Sequence, residues 1–134
     1  MSDRERDSGA RVRREVLGDA HVDRAVAQTT PLTAPFQEFI TRVAWGGVWS
    51  RPDLDRRTRS AITLAVVTAL RCDGEIALHV RGALRCGLTP AEIAEVLMHT
   101  AVYAGVPAAN HAFAIAQRVL DEEAARGQSS GSPT

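Results

Sequence analysis

The chain of 134 residues is long enough for one domain with a hydrophobic core and short for two. Hydrophobic residues make up 45% of it and charged residues 24%, the balance of a globular domain. The formal net charge of zero disfavours nucleic acid or an anionic membrane as a partner, and no apolar run approaches the ~18 residues of a membrane-spanning helix. All sixteen basic residues are arginines, which suit bidentate contacts with carboxylates.

Helical periodicity and helix-ending residues dominate the first half of the chain. Gly18 is a plausible end of the first helix, Asp19 is predicted to cap the second, and Asp55 the fourth. Four helices are predicted in this half, over 3–17, 19–28, 35–48 and 56–71. The fourth carries one apolar stripe, made of Ile62, Ala65, Val66, Ala69 and Leu70.

The second half repeats the helical pattern, and its clearest local signal is a capping box. Thr89 is the predicted N-cap, Pro90 follows at the first helical position, and Glu92 stands three residues after the cap. Three helices are predicted here, over 74–86, 90–105 and 107–125. Alternating, strand-like runs are almost absent, so we predict an all-α fold with one domain over 1–125 and a disordered tail over 126–134.

Aromatic residues make up only 4% of the sequence, which predicts a lean core for an isolated chain. Much apolar surface on the helices over 56–71 and 93–104 is therefore expected to be covered by other copies of the chain. The two cysteines, Cys72 and Cys86, are expected to be free thiols in a reducing cytoplasm, because no secretory signal segment is visible.

Glu75 and His79 form the first candidate site. They are four residues apart and Cys72 is three residues before Glu75, so all three share one face of a helix. A carboxylate beside an imidazole raises the histidine pKa and orients the ring, as proton transfer near neutral pH requires. The alternative is an ordinary solvated ion pair worth only ~0.2–0.5 kcal/mol. Apolar neighbours in this helix favour the catalytic interpretation.

The remaining histidines give weaker signals. His21 is interpreted as a cap or surface residue and His99 as a core residue, while His111 is left open between a structural and a functional role. No two histidines have the close spacing of metal ligands, and no paired Cys-x-x-Cys is present. We therefore expect no metal and no cofactor.

Arginines and tryptophans form a second candidate cluster. Arg42, Trp45 and Trp49 would share one face of an α-helix, either as a core stripe with a surface arginine or as an aromatic wall with a carboxylate clamp. Arg59, early in the next helix, is a similar candidate for carboxylate binding.

The runs "TRSAITLAVVTAL" and "GEIALHVRGALRCGLTPAEIAEVLMHTAVYAGVPAAN" resemble the carboxymuconolactone decarboxylase family. With the upstream runs "RREVLGDAHVDR" and "FQEFITRVAWGGVWSRPDL", which resemble the decarboxylases of that family, the resemblance covers roughly residues 10–122. The resemblance implies an alkylhydroperoxidase-like helical bundle in trimers or hexamers. It also implies cofactor-free conversion of 4-carboxymuconolactone to 3-oxoadipate enol-lactone and CO2, in the β-ketoadipate pathway of protocatechuate degradation. For such a reaction we assign proton delivery to His79, oriented by Glu75. The further substrate-binding assignments are Arg59, Arg42, Trp45 and Tyr103.

Thiol enzymes of the same family carry Cys-x-x-Cys-x-x-x-His on the corresponding helix. Here Cys72 and His79 match that pattern, but Glu75 replaces the second cysteine. This departure disfavours the first alternative, a thiol peroxidase or disulfide reductase that uses Cys72. The second alternative is a non-catalytic helical oligomerisation module.

Overall fold

The computed structural model describes residues 2–130, and within that range the chain forms only helices and connecting turns. The all-α prediction is thus confirmed. The helices are α1 (Ser2–Leu17), α2 (Asp19–Ala27), α3 (Ala34–Phe39), a π-helix (Ile40–Trp49), α4 (Arg56–Ala69), α5 (Asp73–Arg85), α6 (Pro90–Ala104) and α7 (Val106–Ser130). None of these helices is long and apolar enough to cross a lipid bilayer.

Local signals place most helix ends correctly. Gly18 takes a left-handed backbone (φ 88°) and separates α1 from α2, as predicted. Asp55 accepts a 2.6 Å hydrogen bond from the Thr58 N–H at the start of α4, and this bond lowers the pKa of Asp55. The predicted cap by Asp19 is wrong, because α2 has no side-chain cap and the Asp19 carboxylate instead accepts a hydrogen bond from Arg14.

The Thr89 capping box is complete at the start of α6. The Thr89 hydroxyl accepts from the Glu92 N–H at 3.1 Å, and the Glu92 carboxylate accepts from the Thr89 N–H at 3.0 Å. Both bonds satisfy backbone donors that a helix start would otherwise leave unpaired.

Replacing Thr89 with alanine is expected to lower the free energy of unfolding by about 0.5–2 kcal/mol, because the Glu92 N–H loses its acceptor. Chemical denaturation followed by circular dichroism measures this change. Thr89→Ser keeps the hydroxyl and should retain most of the stability. An equal loss in both variants would show that the hydroxyl is not what stabilises α6.

The C-terminal helix is longer than predicted. Disorder is expected from residue 126, but α7 continues to Ser130, while residues 131–134 lie outside the described part of the chain. Charged side chains one turn apart support this extension: Arg126 lies 3.4 Å from Glu123. The prediction of disorder is therefore wrong for residues 126–130.

The chain divides within α4 into two compact units, unit 1 up to Arg59 and unit 2 from Ser60. In unit 1 the helix predicted over 35–48 forms two segments, α3 and the π-helix that follows it. The wider π-helical turn is seen in the hydrogen bond from the Ser50 N–H to the Trp45 carbonyl, five residues earlier, at 3.1 Å. The single domain predicted over 1–125 stays a prediction.

In unit 1 the π-helix packs directly against α1 through two glycines. A Cβ atom on Gly9 would collide with the Thr41 carbonyl, and one on Gly46 with the Glu5 carbonyl, so the two backbones touch. Beside this crossing the buried Arg13 donates to Gln37 at 3.1 Å. Burial lowers the pKa of Arg13, and the neighbouring Arg14 adds to the effect.

Unit 2 contains a hydrophobic core to which α4, α5, α6 and α7 all contribute. Its buried members are Leu64, Ile76, Val80, Ala83, Leu88, Ile93, Leu97, Ala112, Ile115, Ala116 and Val119. At the edge of this core, Arg81 of α5 pairs with Glu122 and Glu123 of α7, with 3.3 Å between Arg81 Nε and Glu123. The orientation of α5 in unit 2 is thus held by both apolar packing and ion pairs.

The apolar stripe predicted on α4 faces outward. Ile62, Val66 and Leu70 are 50%, 49% and 69% exposed, whereas the buried face of α4 consists of Ser60, Leu64 and Thr68. On α6, Val102 is likewise 77% exposed. The amphipathic pattern is therefore present, but its apolar side does not contribute to the core of this chain.

Candidate active site

The start of α5 brings Glu75 and His79 together. Cys72 stands at the N-cap position, Glu75 follows in the first turn, and His79 comes one turn later. Nε2 of His79 lies 3.3 Å from Oε2 of Glu75, as the four-residue spacing predicts. Only 9% of the His79 side chain is exposed, against 56% of the Glu75 side chain.

This unequal exposure determines what the pair can do. The Glu75 carboxylate is in contact with solvent, while the imidazole of His79 lies among apolar residues of α5 such as Ile76 and Val80. A nearby carboxylate stabilises the charged form of a histidine that burial alone would keep neutral. The pair can therefore hold a proton on a buried ring and exchange it through a solvent-exposed carboxylate.

Cys72 lies on the same side of the helix start, but it has no thiol partner. Cys72 and Cys86 are both half-buried and form no disulfide, and the Cys72 Sγ lies 3.8 Å from the Leu70 carbonyl oxygen. Because Glu75 follows three residues after Cys72, a single thiol stands at the helix start that carries the carboxylate–imidazole pair.

Arg42 and Trp45 belong to the π-helix of unit 1. The Arg42 guanidinium donates to Glu38 at 2.5 Å, so its charge is already balanced within the unit. Trp45 is buried and its ring stacks on that of Trp49, with the centroids 4.9 Å apart. The buried ring of Trp45 fits the core-stripe interpretation, and a substrate carboxylate would have to replace Glu38 to bind Arg42.

Arg59 is the last residue of unit 1, in the first turn of α4. Its guanidinium donates to the Arg51 carbonyl at 3.3 Å, within the segment that precedes α4. A guanidinium presents several N–H donors in a planar fork, so Arg59 stays a candidate for carboxylate binding.

Tyr103 is exposed to solvent, unlike the buried His79. Its side chain is 81% exposed, and its ring lies 5.2 Å from that of His99, centroid to centroid. Both line a groove of about 370 Å³ between α4 and α6, whose other walls are Ala65, Val66, Ala69, Thr100 and Ala104. The interpretation of His99 as a core residue is wrong, because His99 lies on the exposed side of α6.

Sequence reasoning missed a second carboxylate–imidazole pair in unit 2. Nε2 of His111 in α7 lies 2.8 Å from Oδ2 of Asp73 in α5, next to Arg71 and Asn110. The two partners are 38 positions apart in the chain (111 minus 73), so no spacing pattern joins them. The pair forms because α5 and α7 lie next to each other in the folded chain.

The sequence profile of the Carboxymuconolactone decarboxylase family matches residues 34–118, and this chain belongs to that family. The match includes the π-helix, α4, α5 and α6, and therefore the Glu75–His79 pair.

Two decarboxylases are similar over nearly the whole chain. The 4-carboxymuconolactone decarboxylase of Acinetobacter baylyi is 43% identical over 91% of this chain and 92% of its own length. The nitrosuccinic acid decarboxylase npaB of Metarhizium robertsii is 42% identical over 91% of this chain and 85% of its own length. A 4-carboxymuconolactone decarboxylase of Pseudomonas putida is 51% identical over 34% of this chain. These relatives support a carboxy-lyase.

Proposed function

We propose that this protein decarboxylates 4-carboxymuconolactone to 3-oxoadipate enol-lactone without a cofactor, in the cytoplasm, as a step of protocatechuate degradation. The observation that carries the proposal is the buried His79, held 3.3 Å from the exposed Glu75 at the start of α5. Similarity to a 4-carboxymuconolactone decarboxylase along most of both chains supports this choice of substrate.

The substrate itself makes a cofactor unnecessary. When the carboxylate on the ring carbon leaves as CO2, its electron pair moves through the C=C bond into the lactone carbonyl. The protein then has three tasks: to hold the second carboxylate, to stabilise the developing enolate oxygen, and to return one proton to a ring carbon.

Two of these tasks, proton delivery and binding of the second carboxylate, have candidate residues. His79 delivers the proton, and Glu75 orients the ring and exchanges the proton with solvent. Arg59, at the start of α4, and Arg42, in the π-helix, are the candidate anchors for the second carboxylate, which at Arg42 would have to replace Glu38. Trp45 and Tyr103 are proposed to line the space that the substrate occupies.

The direct test mixes the purified protein with 4-carboxymuconolactone and follows CO2 release without added metal or cofactor. We expect turnover well above the uncatalysed rate, with the enol-lactone as product. Absence of CO2 release from folded protein would contradict the proposal and would favour the non-catalytic oligomerisation module.

Nitrosuccinic acid is the second candidate substrate, because a relative of almost equal similarity is a nitrosuccinic acid decarboxylase. The chemistry is analogous: the carboxylate next to the nitro group leaves as CO2, its electron pair enters the nitro group as a nitronate, and a proton returns to carbon. Both substrates keep a second carboxylate for an arginine. The ratio of kcat/KM for the two compounds decides between them.

We also propose that several copies assemble, as a trimer or hexamer, through the exposed apolar face of α4 and α6. This face contains Ile62, Val66, Leu70, Met98, Val102 and Tyr103, each at least 46% exposed in the single chain. A contiguous apolar surface of this kind is unfavourable in water and marks an interaction site. Light scattering at micromolar concentration should give a multiple of 14.4 kDa, and a stable monomer would contradict the proposal.

Replacing Cys72 with serine is expected to leave decarboxylation largely unchanged, because the lone thiol takes no part in proton transfer from His79. The same CO2 assay measures this, and peroxide consumption with a dithiol present provides a parallel test of thiol chemistry. Cys86→Ser is the matched control. Loss of decarboxylation in the Cys72 variant alone would assign the thiol an essential role.

A further inference from the structure

A depression of about 600 Å³ lies in unit 2, beside the turn before α5 and the first turns of α7. Its lining residues are Arg71, Asp73, Pro107, Asn110, His111 and Ala114. The volume falls within the ~300–1,000 Å³ of small-molecule sites. The lining combines one fixed cation, one carboxylate–imidazole pair and one amide, which are groups that recognise a small polar anion.

The Asp73–His111 pair connects two helices across this depression. The 2.8 Å contact engages Nε2 of His111, so a proton on Nδ1 can be donated to a bound molecule. This contact with Asp73 fixes the orientation of the ring. Both side chains are more than half exposed, at 53% and 59%, so a ligand can reach them.

Arg71 supplies the cation from an unusual backbone position. It is the only non-glycine residue of the described chain with positive φ, at 57°. Glycine takes this conformation without steric cost, whereas an arginine there is strained. Its guanidinium suits bidentate binding of a carboxylate.

We propose that this depression binds a small dicarboxylate, with one carboxylate held by Arg71 and the other by the Nδ1–H of His111. Asp73 is the positioning residue for the imidazole, and Asn110 donates its amide hydrogens to the same molecule. The site is distinct from the Glu75–His79 pair, because residues two apart on a helix, such as Asp73 and Glu75, face different directions. Binding here does not depend on the proposed decarboxylation.

A titration with succinate, observed through the side-chain nitrogens of the four histidines by NMR at about pH 6, tests the proposal. Sodium chloride at matched ionic strength and sodium phosphate serve as comparison anions. We expect the His111 signals to shift saturably, with a dissociation constant on the order of 1–10 mM. Phosphate should bind at least several-fold more weakly.

Arg71→Gln should weaken succinate binding about tenfold or more, the loss of one charge-assisted contact. Arg85→Gln is the matched control: Arg85 is an exposed arginine in the last turn of α5, and its replacement should leave binding unchanged. Arg71→Gly is a second variant that suits the left-handed backbone and still removes the guanidinium.

Three outcomes would overturn the proposal: no saturable shift at His111, equal effects of the Arg71 and Arg85 variants, or tighter binding of phosphate than of succinate. The His111 signal is read independently of turnover. Failure of the decarboxylase assay can therefore be distinguished from failure of succinate to bind at His111. A succinate-induced shift confined to His79 is likewise distinguishable from binding at this depression.

Discussion

Replacing His79 with alanine is expected to lower kcat for decarboxylation by about 10²–10⁴, the usual contribution of a general acid. The physical reason is that the ring is buried and held at 3.3 Å from Glu75, so water does not readily take its place as an oriented proton donor. Steady-state kinetics on 4-carboxymuconolactone, followed by CO2 release, measure the loss. KM should change much less than kcat, because the substrate carboxylate is held elsewhere.

Two further variants make this result specific. His21→Ala removes an imidazole from α2, outside the proposed site, and should retain wild-type turnover. Glu75→Gln keeps the size of the side chain but not its charge, so it should lower kcat and shift the acidic limb of the pH profile. Near-normal turnover of a folded His79 variant would remove this histidine from the mechanism.

Gly46→Ala is expected to destabilise the protein by about 1–3 kcal/mol or more, since the added methyl group has no space. Its Cβ would collide with the backbone carbonyl of Glu5, and a backbone atom held within α1 cannot move aside as a flexible side chain can. Part of the contact between α1 and the π-helix must therefore open. Thermal and urea unfolding followed by circular dichroism measure the change.

The neighbouring Gly47 is a matched control in the same π-helix. A Cβ there would be 3.6 Å from the Arg42 carbonyl oxygen, an ordinary van der Waals distance. Gly47→Ala should therefore be neutral or slightly stabilising, because it reduces the conformational freedom of the unfolded chain. Similar stabilities of the two variants would contradict the close backbone crossing at Gly46.

Local signals in the sequence were sufficient for the order of the helices and for most of their ends. Thr89 and Glu92 form the predicted capping box, and Asp55 accepts from the Thr58 N–H as predicted. These contacts join residues three positions apart, so the sequence contains both partners side by side. The Glu75–His79 contact was predictable for the same reason.

Features that depend on packing were predicted less well. The sequence pattern predicts an ordinary α-helix here, whereas the chain forms a π-helix over Ile40–Trp49. This π-helix packs against Gly9 of α1, a contact that the local pattern does not contain. The apolar stripe on α4 was recognised, but the periodicity of one helix does not say whether that side meets the core or the outside. The exposure of Ile62 and Val66 in the folded chain shows that this side of α4 faces outward.

The sequence alone determined the all-α class, most of the helix limits, the family and the carboxylate–imidazole pair on α5, since each depends on residues close together in the chain or on runs of recognisable residues. Only the tertiary structure decided which face of α4 is buried, where Gly46 touches α1, and that Asp73 meets His111 across 38 positions. The reason is physical: such contacts are set by how helices pack, and packing depends on the shape of both partners at once.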